Sequence, residues 1–267
     1  MIKEFRPGNL QEALEMMAGH DLIPVAGGTD LMIRARNWQG ASRAMKGDLI
    51  YIQHLKELNF IEETDEEIHI GAGITQADFC QSEILPEYAR EVVAQMATPA
   101  IRNAATIGGN IANAASVADI LPLLYVMDAK IVLVSQRGSR IMPIQTFEVG
   151  KYKTARRSDE LIQMVILPKL KVYKYLYRKV GQRRASILSK ISFLALASET
   201  GTRIAIGALN DTVIRSKELE KQIDEGSEKE RILAGYRSLF MGRDDKRSTK
   251  QYREQVAINF LTKWMEG

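Results

Sequence analysis

Two glycine pairs constrain this chain more than any other feature: Gly27-Gly28 in "VAGGTD" (25–30) and Gly108-Gly109 in "TIGGN" (106–110). Each lies between an apolar, strand-like stretch and a helix-like one. A strand that closes in glycines and gives way to a helix leaves backbone N–H groups pointing outward, with no side chain to hold a ligand away. Phosphate suits such a place, because the amides donate and a helix N-terminus favours negative charge. Neither pair fits the usual nucleotide fingerprints. GxGxxG is absent, since "GAGITQ" (71–76) lacks the third glycine, and GxxxxGK[ST] is absent too. One such pair alone reads as a tight turn or a packing contact. Two in matching settings point to a single extended phosphate ligand that faces both.

The rest of the composition narrows the class. At 267 residues, with 45% apolar and 26% charged residues, the chain is long enough for one large or two modest domains. No apolar run approaches the roughly 20 residues that span a bilayer, and "MIKEFRPGNL" has no signal-peptide character. A single cysteine, Cys80, excludes an internal disulfide and any iron–sulfur cluster held by this chain's cysteines alone. His20, His54 and His69 are scattered, without HExxH or CxxC spacing, so no metal site is expected. These features point to a soluble, cytoplasmic protein without membrane insertion. The net charge of +4 is spread along the chain with no basic stripe among aromatics, so nucleic acid is not an expected partner.

Strand-like and helix-like stretches alternate. Leu10, Ala13, Leu14 and Met17 recur at helical spacing, "LIPVAGG" reads as a strand closing in a turn, and "TDLMIRARNW" as a helix starting at Thr29 or Asp30. "DLIYIQHL" and "EIHIGAG" read as strands, "TQADFCQSEIL" and "PEYAREVVAQMA" as helices. "KIVLVSQRGSRIMPI" reads as a hairpin turning near Arg137-Gly138, and "ELIQMVILP" as a strand stopped by Pro168. Beyond Pro168 the character changes. "KVYKYLYRKVGQRR" mixes β-prone aromatics with basic residues, "TRIAIGALND" reads as a strand, and three helical pieces follow. The expected boundary lies near Lys169–Lys171, giving domains 1–170 and 171–267.

"VAGGTDLMI" followed by "IRNAATIGGNIANAASVADILPLLYVMDA" resembles the FAD-binding medium subunits of molybdenum hydroxylases, of xanthine dehydrogenase and carbon monoxide dehydrogenase type. "FRPGNLQEAL", "EIHIGAGIT", "YRKVGQRRAS" and "TRIAIGALNDTVIRSKELE" are similar to further parts of that family. The resemblance implies an α+β fold: a vanillyl-alcohol-oxidase-like (PCMH-type) FAD-binding domain of two subdomains, then a smaller C-terminal α+β domain of the carbon monoxide dehydrogenase flavoprotein type. It implies non-covalent FAD, its pyrophosphate on the two glycine turns and its isoalloxazine ring facing the C-terminal domain.

Residue by residue, the resemblance carries Ala26, Gly27, Gly28, Thr29 and Asp30 to the first turn, flanked by Pro24, Val25 and Leu31, for which core packing is an equal reading. Asp30 would repel phosphate and reads better as a helix cap. Thr106, Ile107, Gly108, Gly109 and Asn110 match the second turn, with the Asn110 amide suited to ribityl or phosphate contacts. Asp119 aligns with an acidic residue near the flavin's ribityl chain and reads equally as a cap, with Pro122 in the first turn behind it. Lys179 aligns with a lysine near the flavin's pyrimidine carbonyls, where a cation would stabilise developing negative charge; the other reading is a solvated surface lysine. Met96 and Ile162 are weaker members, readable as core. Where the family often has Asn-Ala-Ser-Pro this chain has Asn113-Ala114-Ala115-Ser116. After "GQRRA" it continues Ser186-Ile187-Leu188 in place of an acidic residue, which bears on an NAD-specific loop.

The implied function is electron transfer between [2Fe-2S] clusters of a small partner subunit and an acceptor such as NAD. A large molybdopterin subunit would hydroxylate the organic substrate, so no catalytic acid or base is expected in this chain. Two alternatives stand beside it: a stand-alone flavin oxidase or reductase, and a non-catalytic flavin-binding assembly subunit.

Overall fold

In a computed structural model, which describes residues 2–35, 45, 47–183, 187–242 and 244–267, the apolar run Leu161–Pro168 is the middle strand of a five-stranded antiparallel sheet. The order is Ile61–Glu63, Glu67–Gly71, Leu161–Pro168, Lys130–Ser135, Gly138–Pro143. Leu161, Val165 and Leu167 are buried because helices cover one face and the N-terminal layer meets the edge of the other. The expected hairpin is Lys130–Ser135 with Gly138–Pro143, turning at residues 136–137. A bulge between Ile162 and Met164 interrupts pairing with the hairpin. There the Gln163 carbonyl accepts from the Ala72 amide at 2.9 Å.

The N-terminal layer is a parallel three-stranded sheet, ordered Glu4–Phe5, Asp48–Tyr51, Leu22–Val25. The helix Leu10–Gly19 packs on it through Leu10, Ala13, Leu14 and Met17, the residues its period selects. Asn9 caps that helix, accepting from the Glu12 amide at 2.9 Å. Val134 and Leu161 of the central sheet close the same cluster, so the two layers share an interior.

After Pro168 the chain passes into a second antiparallel sheet, ordered Val172–Val180, Ile191–Ser198, Gly201–Gly207. Periodicity does not announce its middle strand. Ile191, Phe193 and Ala195 face the helices Lys217–Asp224, Lys229–Ser238 and Lys250–Met265, while Leu194 and Leu196 face the central core. With both faces buried, the strand shows no alternation, and its centre, residues 193–197, is an unbroken apolar run.

The helix Ile120–Val126 is wedged between these layers, and all seven of its residues are buried. Polar contacts hold it at both ends. Asp119, just before it, pairs with Lys179 on the strand Val172–Val180. At its C-terminus Arg203 donates to the Val126 carbonyl at 2.9 Å and Arg215 to the Tyr125 carbonyl. The cations thus lie where the helix carbonyls concentrate negative charge. Both arginines also pair with Asp128, at 2.8 and 2.9 Å.

Candidate functional site

The first glycine turn follows the strand Leu22–Val25 as its sequence predicts. Gly27 lies against backbone: a Cβ there would fall 1.8 Å from the Ala104 carbonyl oxygen. Gly28 has φ +66°, a left-handed conformation that admits glycine without strain. Among the described residues, the amides of Gly27, Gly28 and Thr29 donate to no protein acceptor. Asp30 stands at the N-cap position but makes no capping bond. Its carboxylate instead accepts from Asn113 Nδ2 at 2.8 Å, which joins the two glycine segments. The expected helix 29–38 is seen as Leu31–Arg34, and residues 36–38 of that expectation lie outside the described residues.

The second pair differs from expectation. Gly108 and Gly109 lie inside the first turn of the helix Ile107–Asn113, not in a strand-to-helix turn. The preceding amides are already bonded: Ile107 to the Ile74 carbonyl and Gly108 to the Ala72 carbonyl, both at 2.9 Å. The Gly109 amide donates to the capping Thr106 hydroxyl at 3.0 Å. No outward-pointing donors remain at these three positions. Gly108 is a packing glycine, since a Cβ would lie 2.5 Å from that of Ala72. At Gly109 an added Cβ would meet only the Thr106 hydroxyl, at 2.7 Å, and otherwise open space.

The two segments line one cleft with a volume of ≈ 280 Å³, just below the range of about 300–1,000 Å³ for small-molecule sites. Pro24, Ala26, Gly27, Gly28, Thr29, Asp30, Leu31, Thr106, Gly108, Gly109, Asn110 and Ile162 all reach it. Val25 and Ile107 are buried beside it, and Met96 sits in the central core. Among the described residues, the buried side-chain oxygen Oδ1 of Asn110 has no hydrogen-bond partner. Arg34, Asn113, Tyr152 and Arg156 also line it and were not anticipated from sequence. Only Asn113 carried a legible signal, lying one helical turn beyond Gly109 and Asn110. Arg156 is held by Nη1, which donates to the carbonyls of Arg157, Ser158 and Glu160 at 3.0, 3.4 and 2.6 Å. Burial lowers its pKa, against the raising effect of Glu160 and Asp159.

Asp119 and Lys179 are not among the residues lining this cleft. They meet each other: Lys179 Nζ is 2.6 Å from Asp119 Oδ2, with the side chains 5% and 4% exposed. Lys179 also donates to the Gln95 carbonyl at 2.9 Å, and Ser189 to Asp119 Oδ1 at 2.5 Å. Neither the cap reading of Asp119 nor the surface reading of Lys179 survives: Asp119 makes no capping bond, and the lysine is buried. Beside them Tyr177 has its hydroxyl pKa pushed well up, first by burial and then by the Asp119 charge. Ser186, one of the sequence departures, lies outside the described residues.

Residues 1–170 match the family described as the FAD binding domain in molybdopterin dehydrogenase. The glyceraldehyde dehydrogenase medium chain of Sulfolobus acidocaldarius is 30% identical over 230 residues, covering 82% of this chain and 79% of its own. The nicotinate dehydrogenase FAD-subunit of Eubacterium barkeri is 32% identical over 201 residues, covering 70% of this chain and 65% of its own. Among solved structures, a chain of the Cu,Mo-CO dehydrogenase has a TM-score of 0.85 at 23% identity, over 98% of this chain and 95% of the other. A chain of quinoline 2-oxidoreductase from Pseudomonas putida 86 gives 0.86 at 20% identity, over 99% and 95%. At such identities the structural likeness speaks for the fold.

Proposed function

Because the chain belongs to the family of FAD-binding domains of molybdopterin dehydrogenases, we propose that it is the electron-transfer subunit of a molybdenum hydroxylase complex. Membership makes it an α+β flavoprotein of PCMH type and an oxidoreductase component. The observation that carries the site assignment is the cleft itself. Among the described residues it offers the unbonded amides of Gly27, Gly28 and Thr29, open space at Gly109, and a buried Asn110 oxygen without a donor. These features fit a diphosphate with a hydroxylated chain beside it. The amides would bind the phosphate oxygens, and Asn110 would accept from a sugar hydroxyl.

In this reading the first turn supplies most of the anion binding. The second segment contributes shape, through Gly109, and one acceptor, through Asn110. Asp119 and Lys179 pair at the junction with the C-terminal sheet, the side to which the resemblance would turn the ring. Bound FAD exchanges electrons singly or in pairs, which suits a link between one-electron carriers and a two-electron acceptor. With Cys80 as its sole cysteine, the chain leaves [2Fe-2S] clusters to a small partner subunit and molybdopterin to a large one. NAD as acceptor, a cytoplasmic location and the division into domains 1–170 and 171–267 belong to the same proposal. Among the described residues no helix is long and apolar enough to cross a membrane.

The test is co-purification from the native host with cofactor and metal analysis of each subunit. One FAD on this chain, with iron, sulfide and molybdenum on its partners, is the expected result. A chain that oxidises a small substrate without partners would instead mark a stand-alone flavoenzyme.

A further inference from the structure

We propose that Arg34, packed over the Tyr152 ring, is the cation that balances the diphosphate in the cleft; this rests on FAD occupying it. The charged side chains lining the cleft are Asp30, Arg34 and Arg156, a net of one positive charge (two cations less one anion). Arg156 already spends Nη1 on three carbonyls, and Asp30 opposes an anion. Arg34 is placed differently. Its guanidinium carbon lies 4.0 Å from the centroid of the Tyr152 ring. A guanidinium stacked by its face keeps its N–H groups in the plane, free to fork onto phosphate oxygens. The ring contact thus positions the group, and among the described residues no acceptor uses its N–H donors. Arg34 ends the short helix that follows the unbonded amides of Gly27, Gly28 and Thr29, and it lines the same cleft as they do.

A second observation concerns Tyr152 itself. It stands at the tip of the hairpin Glu148–Gly150 with Lys153–Thr154, at φ +59°. A non-glycine residue adopts this conformation at a cost, and persists there only where its surroundings enforce it. The Tyr152 amide donates to the Ala114 carbonyl at 2.7 Å, and Ala114 is itself left-handed at φ +42° where the helix Ile107–Asn113 ends. Two strained residues are thus bonded to each other, and the result is an aromatic ring over the cleft facing Arg34. Loop closure alone would accept glycine or asparagine at 152 at lower cost. Arg34 is the anion-binding residue in this proposal and Tyr152 its positioning residue.

The experiment measures FAD dissociation constants of the apoprotein by fluorescence quenching for wild type, Arg34→Met, Arg34→Lys, Tyr152→Phe and Tyr152→Leu, with melting temperatures of the same apoproteins. Loss of a charge-assisted contact predicts about 10- to 100-fold weaker binding in Arg34→Met. Arg34→Lys, with its charge but no fork, should fall between. Tyr152→Phe should match wild type because the ring is kept, whereas Tyr152→Leu should weaken binding severalfold. Apoprotein melting temperatures should agree throughout. Normal FAD binding by Arg34→Met, or equal losses in Tyr152→Phe and Tyr152→Leu, overturns the proposal while leaving FAD in the cleft. A folded wild type that takes up no FAD overturns the functional reading as well.

Discussion

Lys179 Nζ and Asp119 Oδ2 stand 2.6 Å apart in the protein interior, so the cation and carboxylate that resemblance assigns separately to the flavin act as one neutral unit. This changes what their removal does. Lys179→Ala leaves Asp119 buried without its counter-ion, a loss of about 3–5 kcal/mol by analogy with broken buried pairs. That corresponds to a fall in melting temperature on the order of 10 °C. Replacing both, as in Asp119→Asn with Lys179→Met, should restore most of it. Thermal melts of the two singles and the double test this. A Lys179→Ala protein that melts with wild type shows that the pair contributes nothing.

The same pair predicts redox effects of opposite sign. If the flavin ring lies beside it, Lys179→Ala leaves a net negative charge there and lowers the reduction potential. Asp119→Asn leaves a net positive charge and raises it. Paired redox titrations at known FAD occupancy decide the matter, and a change of the same sign in both variants removes the pair from the flavin's surroundings.

Three of the four motif glycines should separate by experiment. Gly27→Ala and Gly108→Ala drive a Cβ into the Ala104 carbonyl and into Ala72, and should yield little soluble protein. Gly109→Val disturbs the Thr106 hydroxyl at 2.7 Å, and so a helix cap worth about 1 kcal/mol. It should fold and lose FAD. Circular dichroism with flavin absorbance distinguishes the outcomes. Full flavin occupancy in folded Gly109→Val would show that the open space at this position is not used.

These differences mark the limit of what the sequence makes legible. Helices with a clear apolar period, such as Leu10–Gly19, and the hairpin at 130–143 follow from local chemistry. The glycine pairs are visible as motifs, but not the division of labour within them. Gly27 and Gly108 serve backbone contacts with chain segments remote in sequence, and the second set of amides is bonded within the protein. Ile191–Ser198 escapes because a strand buried on both faces has no alternation. Arg34, Tyr152 and Arg156 escape because single charged or aromatic residues at turns carry no period, and only the folded chain gathers them around the cleft.

Non-covalent FAD is the simplest expectation of the cleft chemistry. None of its described lining residues is a histidine or cysteine, the side chains most apt to carry a covalent flavin. Acid precipitation should release the chromophore into the supernatant. Yellow colour that stays with the denatured chain would falsify this.

Glu148 gives a prediction in pH. Its side chain is buried, and among the described residues Oε1 has no hydrogen-bond partner. The Val213 amide approaches Oε2 at 3.4 Å. Burial raises the carboxyl above its ordinary value of 4.5, an effect only partly offset by the Tyr125 hydroxyl and the Val213 amide. The folded protein therefore holds this proton more tightly than the unfolded chain does. The resulting stability is fully present below the unfolded pKa near 4.5 and is lost as pH rises through the higher folded value. Glu148→Gln keeps the shape of the protonated acid and cannot ionise. Its stability relative to wild type should grow across that window and level off above it, gaining roughly 1.4 kcal/mol for every tenfold by which folding tightens the proton's hold. Urea unfolding of both proteins from pH 4 upward measures the difference, and parallel curves would mean that Glu148 ionises in the folded protein as it does in water.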